Sequence, residues 1–313
     1  MRVPSSFLSK VQAECPPELL AQAAAAGRVR VAIARAGAAL PMQAAYEATQ
    51  AGVMEPVFTG ERYDIEREAE ALGWDIRPFR LIETEGEAAS GFAAAAACGA
   101  GEADVLMKGQ LHTDAFMKSA LNREAGLRTG GRLVHTFHIS HFDGGRPMLI
   151  SDAAVNVHPD IATRQASTHS VVDMLRALGN AHPRVAFLSA TENPIPSVPS
   201  AVEARELEEW AKRTFQEASF SGPLALDLIL SPESVDVKGM HHDPVAGHAD
   251  AIVVPDIVSG NAVFKALVYL SGGCAGGLVS GAKVPILLTS RSDPAAARLC
   301  SAALAAIMTG EQA

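Results

Sequence analysis

The feature that most constrains this chain is a rhythm: short apolar, β-branched runs separated by alanine-rich stretches of helical period. RVRVAIA (28–34) predicts a strand, and PMQAAYEATQAG (41–52) predicts a helix with Pro41 near its first turn and Gly52 at its end. EPVFTG predicts a second strand and ERYDIEREAEALG a helix closed by Gly73. SGFAAAAACGAGEA predicts a further helix running into the strand DVLMKG. Parallel neighbours need a crossover of about a dozen residues, and helices of this length supply it. The chain therefore reads as α/β, with a mainly parallel sheet covered by helices on both faces.

The character changes near Arg132. RLVHTFHIS and PMLISDAAV read as an antiparallel hairpin joined through HFDGGRP, whose Asp-Gly-Gly suits a tight turn. The rhythm then resumes with a helix from about Ala162 to Leu178, the strand RVAFLSA and the proline-rich loop TENPIPSVPS. After these come the helix AVEARELEEWAKRTF, the strands LALDLIL and DAIVVPD, the helix NAVFKALVYLS, the strand KVPILLTS and a closing helix, PAAARLCSAALAAIM.

Composition narrows the functions available. A chain of 313 residues, 48% hydrophobic and 19% charged, has the means to bury a sizeable core as two domains or one large one. Lys plus Arg number 26 against 35 Asp plus Glu, a net charge of −9, so the sequence-wide electrostatic footprint of a nucleic-acid binder is missing. A local anion pocket is compatible with that balance. Cys15, Cys98, Cys274 and Cys300 are scattered and form no CxxC pair, which predicts free thiols in a reducing compartment. The N-terminus carries Pro and charge where a signal peptide needs an apolar stretch, and no apolar run is long enough to span a bilayer. These readings predict a soluble cytosolic protein without a membrane partner. His135, His138 and His141 are three apart, which on a strand puts neighbours on opposite faces, and no HExxH occurs, so no metal site is predicted.

In parallel α/β sheets, ligands gather at the C-terminal ends of strands, where helix N-termini present amides to anions. Four such junctions here are polar. In DVLMKGQLHTDAFMK, Lys108 ends the strand, and His112 and Thr113 precede a helix starting near Asp114; the set suits phosphate, with capping as the plain structural role of Thr113 or Asp114. In GLRTGGR, Arg128 and Arg132 flank a glycine turn, as phosphate ligands or as a solvated basic loop. In ISDAAVNVHPD, Asp152 follows a buried strand and Asn156 lies four residues on, while Asp160 suits a helix cap. In VPILLTSRSDP, Thr289, Ser290, Arg291 and Ser292 make a compact anion cradle, and Asp293 before Pro294 is a cap or a catalytic group. SGGCAGGLVSGAK lacks the Gly-Lys adjacency of a P-loop and no GxGxxG is present, so its glycines read as close backbone approach or a domain crossover.

Taken together, ADVLMKGQLHTDAFMKSALNREAGLRTG, LISDAAVNVHPD, HADAIVVPDIVSGN and VPILLTSRSDPAAARL resemble the phosphate acetyl/butyryl transferase family. The likeness runs from about Arg28 to Met308 and is most similar to the transferase portion of bifunctional enoyl-CoA hydratase/phosphate acetyltransferases. The resemblance implies a two-domain fold like that of isocitrate and isopropylmalate dehydrogenases, with a cleft between the domains. It implies a first α/β domain of residues 1–132 plus 280–313 and an inserted second domain of residues 133–279. It further implies reversible exchange of a short acyl group, acetyl first and butyryl as the alternative, between CoA and phosphate, with acyl-CoA, phosphate and acyl phosphate as substrates, no tightly bound cofactor and a homodimer; the altered base position and Lys118 leave a non-catalytic acyl-CoA-binding protein as the other alternative.

Carried onto this sequence, the family's Ser-Arg pair matches Ser290 and Arg291. Arg291 would hold phosphate and offset transition-state charge, and Ser290 would donate to a thioester or phosphate oxygen. A carboxylate would deprotonate the CoA thiol. Acetyltransferase members carry an Asp at the spacing where this chain has Ala297, which leaves Asp293 and Asp152 as candidates. Lys118 stands where the family often has Arg, and Arg128 matches the GLRT segment. Lys108, His112, Thr113, Lys118, Arg128, Asn156 and Asn261 complete the expected substrate-binding set.

Overall fold

The computed structural model describes residues 6–288 and 293–310. The chain divides into two compact units: Glu14–Arg132 with Gly276–Ala313, and Met1–Ala13 with Leu133–Ala275. In chain order the elements are α1 (Pro17–Ala26), β1 (Val29–Ala34), α2 (Ala39–Gln50), β2 (Met54–Gly60), α3 (Arg62–Ala71), β3 (Arg80–Glu83), α4 (Gly86–Gly99), β4 (Val105–Lys108) and α5 (Thr113–Ala120). Then come β5 (Val134–Ser140), β6 (Met148–Ser151), α6 (Ile161–Ala177), β7 (Arg184–Leu188), α7 (Pro199–Thr214), β8 (Ser219–Leu224), α8 (Leu226–Leu230), α9 (Pro232–Lys238), β9 (Ala251–Val253) and α10 (Ile257–Tyr269). The chain closes with β10 (Cys274–Ser280), β11 (Ile286–Leu287) and α11 (Ala295–Gly310).

In the unit built on Glu14–Arg132, hereafter the first, the strand order is β3-β2-β1-β4-β11-β10. All neighbours are parallel except β10 and β11. Five of the six residues of β1 are buried, as expected of a strand covered on both faces. The alanine-rich α4 packs on β1 and β2 with α5 against it, while α11 packs on α1 and α2. The chain leaves β1 for β2 on one side and returns to β4 on the other, so the gap beyond β1 and β4 is a topological switch point.

The second unit has strand order β5-β6-β9-β7-β8. β5 and β6 are the expected antiparallel hairpin, in the register Phe137 with Ile150, and the remaining neighbours are parallel. Ile150, Ala186, Ile252, Leu228 and Val245 lie in one buried cluster.

Several elements differ from the pattern in the sequence. LALDLIL is not a strand: it holds the end of β8 followed by the helix α8, and SFSGPL (219–224) is the strand. Leu224, Leu228 and Ile229 are the buried members of the run, a spacing of four that fits a helical turn; an unbroken apolar run does not separate the two periods. Glycine-rich CAGGLVS forms β10, where a Cβ on Gly276 would stand 2.8 Å from Leu304 Cδ1, so the glycine permits the close approach to α11. β3 sits at a sheet edge with no buried residue, and so carries no hydrophobic alternation. Pro294, not Asp293, stands at the α11 N-cap position, its carbonyl accepting from Arg298 N. Among the described residues, no helix is long and apolar enough to cross a membrane.

Candidate active site

The switch point of the first unit is organised by Arg35, the residue after β1. Its φ of +55° is a left-handed conformation that costs a non-glycine residue roughly 1–2 kcal/mol, so the surroundings must hold it. Arg35 N donates to Thr59 Oγ1 at 3.2 Å, and the Arg35 and Ala34 carbonyls accept from Gln110 N and Gly109 N at 2.8 and 3.0 Å. A Cβ on Gly109 would lie 2.3 Å from the Ala34 carbonyl oxygen, so only glycine lets the chain leave β4 this close to β1. Arg35 Nε and Nη2 donate to the two carboxylate oxygens of Glu61 at 3.2 and 3.1 Å, and Nη1 lies 3.7 Å from Glu87.

The Glu87 carboxylate reaches across to His112. It accepts from His112 N at 3.1 Å and lies 2.9 and 3.0 Å from His112 Nδ1. The His112 backbone N–H, then its ring, then Arg35 hold the Glu87 carboxyl below its ordinary value against partial desolvation. Burial pushes Glu61 upward, but Arg35 and Gly86 N outweigh it and its carboxyl is also lowered. The His112 side chain itself remains 81% exposed.

His112 occupies the N-cap position of α5 without a side-chain cap bond, and Thr113 opens the helix, exposed. The capping role considered for Thr113 or Asp114 therefore falls outside both. His112 and Lys118 line one cavity of about 660 Å³ together with Ala88, Phe92 and Ala115. Lys108 ends β4 four residues before His112, half-buried. Arg128 is exposed on a fastened loop: its backbone bridges Ala282, Thr129 Oγ1 donates to the Gly281 carbonyl at 2.7 Å, and Lys283 N donates to the Leu127 carbonyl at 2.9 Å. β11 runs parallel to β4, with Leu287 opposite Met107, so the chain leaves β11 at the same end of the sheet as Lys108. Ser290 and Arg291 lie outside the described residues. Asp293 is half-buried, and its carbonyl accepts from Arg298 Nη1.

The second unit's candidates are differently employed. Asp152 is 1% exposed. Its Oδ1 accepts from Ala154 N and Val155 N at 2.9 Å each; its Oδ2 accepts from Asn156 Nδ2 at 2.6 Å and Asn156 N at 3.3 Å. Asn156 Nδ2 also donates to the Leu133 carbonyl at 2.8 Å, and Asn261 Nδ2 to the Ala153 carbonyl at 3.3 Å. These three residues fasten one loop. Beside them His135 is fully enclosed, and burial drives its ring down to about 4 although the Asp152 charge works against the shift.

Sequence reasoning missed Arg35, Glu61 and Glu87. Arg35 follows a recognisable strand and was open to the strand-end rule that flagged Lys108. Glu87 stands 25 positions from His112, and only the packing of α4 beside the β4–α5 loop joins them.

Residues 89–306 match the family described as phosphate acetyl/butaryl transferase. The chain is 36% identical to a phosphate acetyltransferase of Rhizobium meliloti over 264 residues, covering 84% of this chain and 83% of that one. It is 32% identical over 286 residues to the phosphate butyryltransferase of Clostridium acetobutylicum, covering 90% and 94%. The crystal structure of a branched-chain phosphotransacylase from Enterococcus faecalis V583 superimposes with a TM-score of 0.79 at 31% identity, covering 90% of this chain and 99% of that one. In fold alone, the likeness extends to 4-hydroxythreonine-4-phosphate dehydrogenase from Klebsiella pneumoniae, with a TM-score of 0.54 at 11% identity over 90% of this chain and 99% of that one. With a match across most of its length, the chain belongs to the phosphate acetyl/butyryl transferase family.

Proposed function

We propose that this protein transfers a short acyl group reversibly between CoA and inorganic phosphate, with acyl-CoA, phosphate and acyl phosphate as its substrates. The observation that carries this reading is the set of cations and uncapped helix amides gathered around the β4–α5 loop and the Arg128 loop of the first unit. Lys108, Lys118 and Arg128 supply positive charge, Thr113 and the amides that open α5 supply donors for phosphate oxygens, and His112 stands in the same loop. Ser290 and Arg291 follow the strand beside β4. In this reading Arg291 holds the phosphoryl group and offsets charge developing on the acyl carbonyl, and Ser290 donates to a substrate oxygen.

The chemistry is a displacement at carbon. The CoA thiolate attacks the acyl phosphate carbonyl, a C–S bond forms, the C–O bond breaks, and phosphate leaves with the bonding electrons. Run backwards, phosphate attacks the thioester and the thiolate leaves. Asp152, Asn156 and Asn261 serve this reading as the fastening of the loop after β6, and Asp293 as a polar neighbour of the Ser290–Arg291 pair. Phe7, Val258, Tyr269 and Leu270 of the second unit expose apolar surface that a second copy would cover, which supports a homodimer, and the scattered thiols suit a cytoplasmic setting.

Acetyl is the acyl group proposed. Butyryl is the second reading, favoured by the full-length similarity to a butyryltransferase. Phosphate-dependent release of CoA from acetyl-CoA and from butyryl-CoA, without added metal, tests both. Release from either supports the acyltransferase, and the ratio of kcat/KM identifies the group. A folded protein releasing neither overturns the proposal.

A further inference from the structure

The phosphate acyltransferase reading requires a group that takes the CoA thiol proton; of the two carboxylates suggested by the sequence, Asp293 is half-buried before α11 and Asp152 is enclosed. The spacing that carries Asp in acetyltransferase members falls on Ala297, a buried apolar residue of α11. Both oxygens of Asp152 are enclosed by N–H donors of its own loop. We infer that His112 Nε2 is the proton acceptor in this enzyme, with Glu87 and Arg35 as positioning residues.

The geometry assigns the proton on the ring. Glu87 only accepts, so Nδ1, 2.9 and 3.0 Å from its two oxygens, is the donor. In the neutral imidazole the lone pair then falls on Nε2, on a ring that is 81% exposed. The same carboxylate takes the His112 backbone N–H, fixing the residue at two points. Arg35 steadies Glu87 from the end of β1, and Arg35 is itself forked onto Glu61. The charged groups around the ring are Glu87 from α4, Arg35 behind Glu87 just after β1, and, in the cavity that His112 lines, Asp114 and Lys118 from α5 and Glu124 from the turn after it. Histidine is the side chain most often used as a general base.

In the step itself, Nε2 accepts the thiol proton to give imidazolium and thiolate. The thiolate forms the C–S bond, phosphate departs, and the imidazolium returns its proton to solvent. In the reverse direction the imidazolium protonates the leaving thiolate.

The test is turnover of acetyl phosphate and butyryl phosphate with CoA by the full-length protein, His112→Ala and Glu87→Gln, each with and without added imidazole. His112→Ala is expected to lose on the order of 10²–10³ in kcat with little change in KM, and to regain part of it from imidazole. Glu87→Gln is expected to lose about tenfold in kcat and to be insensitive to imidazole. Three results overturn the assignment: His112→Ala with unchanged kcat, a loss confined to KM, or a loss that imidazole does not restore. Circular dichroism separates these from misfolding, and the exposed ring makes a fold defect unexpected. Absence of turnover in the unaltered protein overturns the acyltransferase reading beneath the inference, whereas turnover that survives His112→Ala overturns the inference alone.

Discussion

Two strand-end loops of this molecule carry polar residues of the same kind and put them to opposite uses. After β4 in the first unit, His112, Thr113 and Lys118 are exposed and the helix is uncapped. After β6 in the second, Asp152 and Asn156 spend polar atoms on each other and on nearby backbone, and Asn261 of α10 donates to the same loop. Both loops follow buried strands, and both looked equally functional as sequence. What separates them is hydrogen-bond accounting: a buried polar group must be satisfied internally, and one already satisfied has nothing left for a ligand.

The largest effect is expected at Arg291, after β11. Arg291→Ala is expected to cut acyl transfer by roughly 10²–10³-fold, the loss of one transition-state donor, with an unchanged melting temperature. Near-normal kcat in that variant removes the residue from the site. Asp152→Ala should show the converse. Stranding the N–H groups of Ala154, Val155 and Asn156 costs about 2–3 kcal/mol, read as a lower urea midpoint at constant m. A stable but inactive Asp152→Ala would place that carboxylate among the reacting groups.

Acidification should distinguish the two units. His135 and His138 have folded values near 4 against an ordinary 6.5, both from burial, so the unfolded chain binds protons first. Stability of the second unit should therefore fall as pH drops from 6.5 towards 4. Glu61 is lowered from 4.5, so its contribution to the first unit is intact above that value and is lost as pH falls through the folded value. Hydrogen exchange at pH 5 should show the second unit loosening first, and His138→Phe should reduce the difference. The reverse order would contradict the burial argument. The smallest effect is expected at Lys118. As a single exposed charge, Lys118→Ala should raise KM for phosphate about three- to tenfold and leave kcat alone.

Much of this was legible in the chain. The alternation of RVRVAIA, EPVFTG and DVLMKG with helical stretches was enough for the parallel sheet, because buried central strands need unbroken apolar runs. Edge and glycine-rich strands escaped notice: β3 has no buried residue, and β10 reads as a glycine loop. Lys108, His112 and Lys118 stood out because charge after a buried strand is conspicuous. Glu87 did not, since an acid in the first turn of a helix is an ordinary residue until α5 is packed against α4. Asp152 attracted attention for the same reason as Lys108, and its enclosure by its own loop is a property of backbone conformation that no spacing records.

In the proposed reaction the acyl group passes directly between CoA and phosphate. Exchange of labelled inorganic phosphate into acetyl phosphate or butyryl phosphate tests it most directly, measured with and without CoA. Exchange is expected to depend on CoA, because phosphate is released only when the thiolate takes the acyl group. Exchange that proceeds equally without CoA would place the acyl group on the protein instead, and would contradict it.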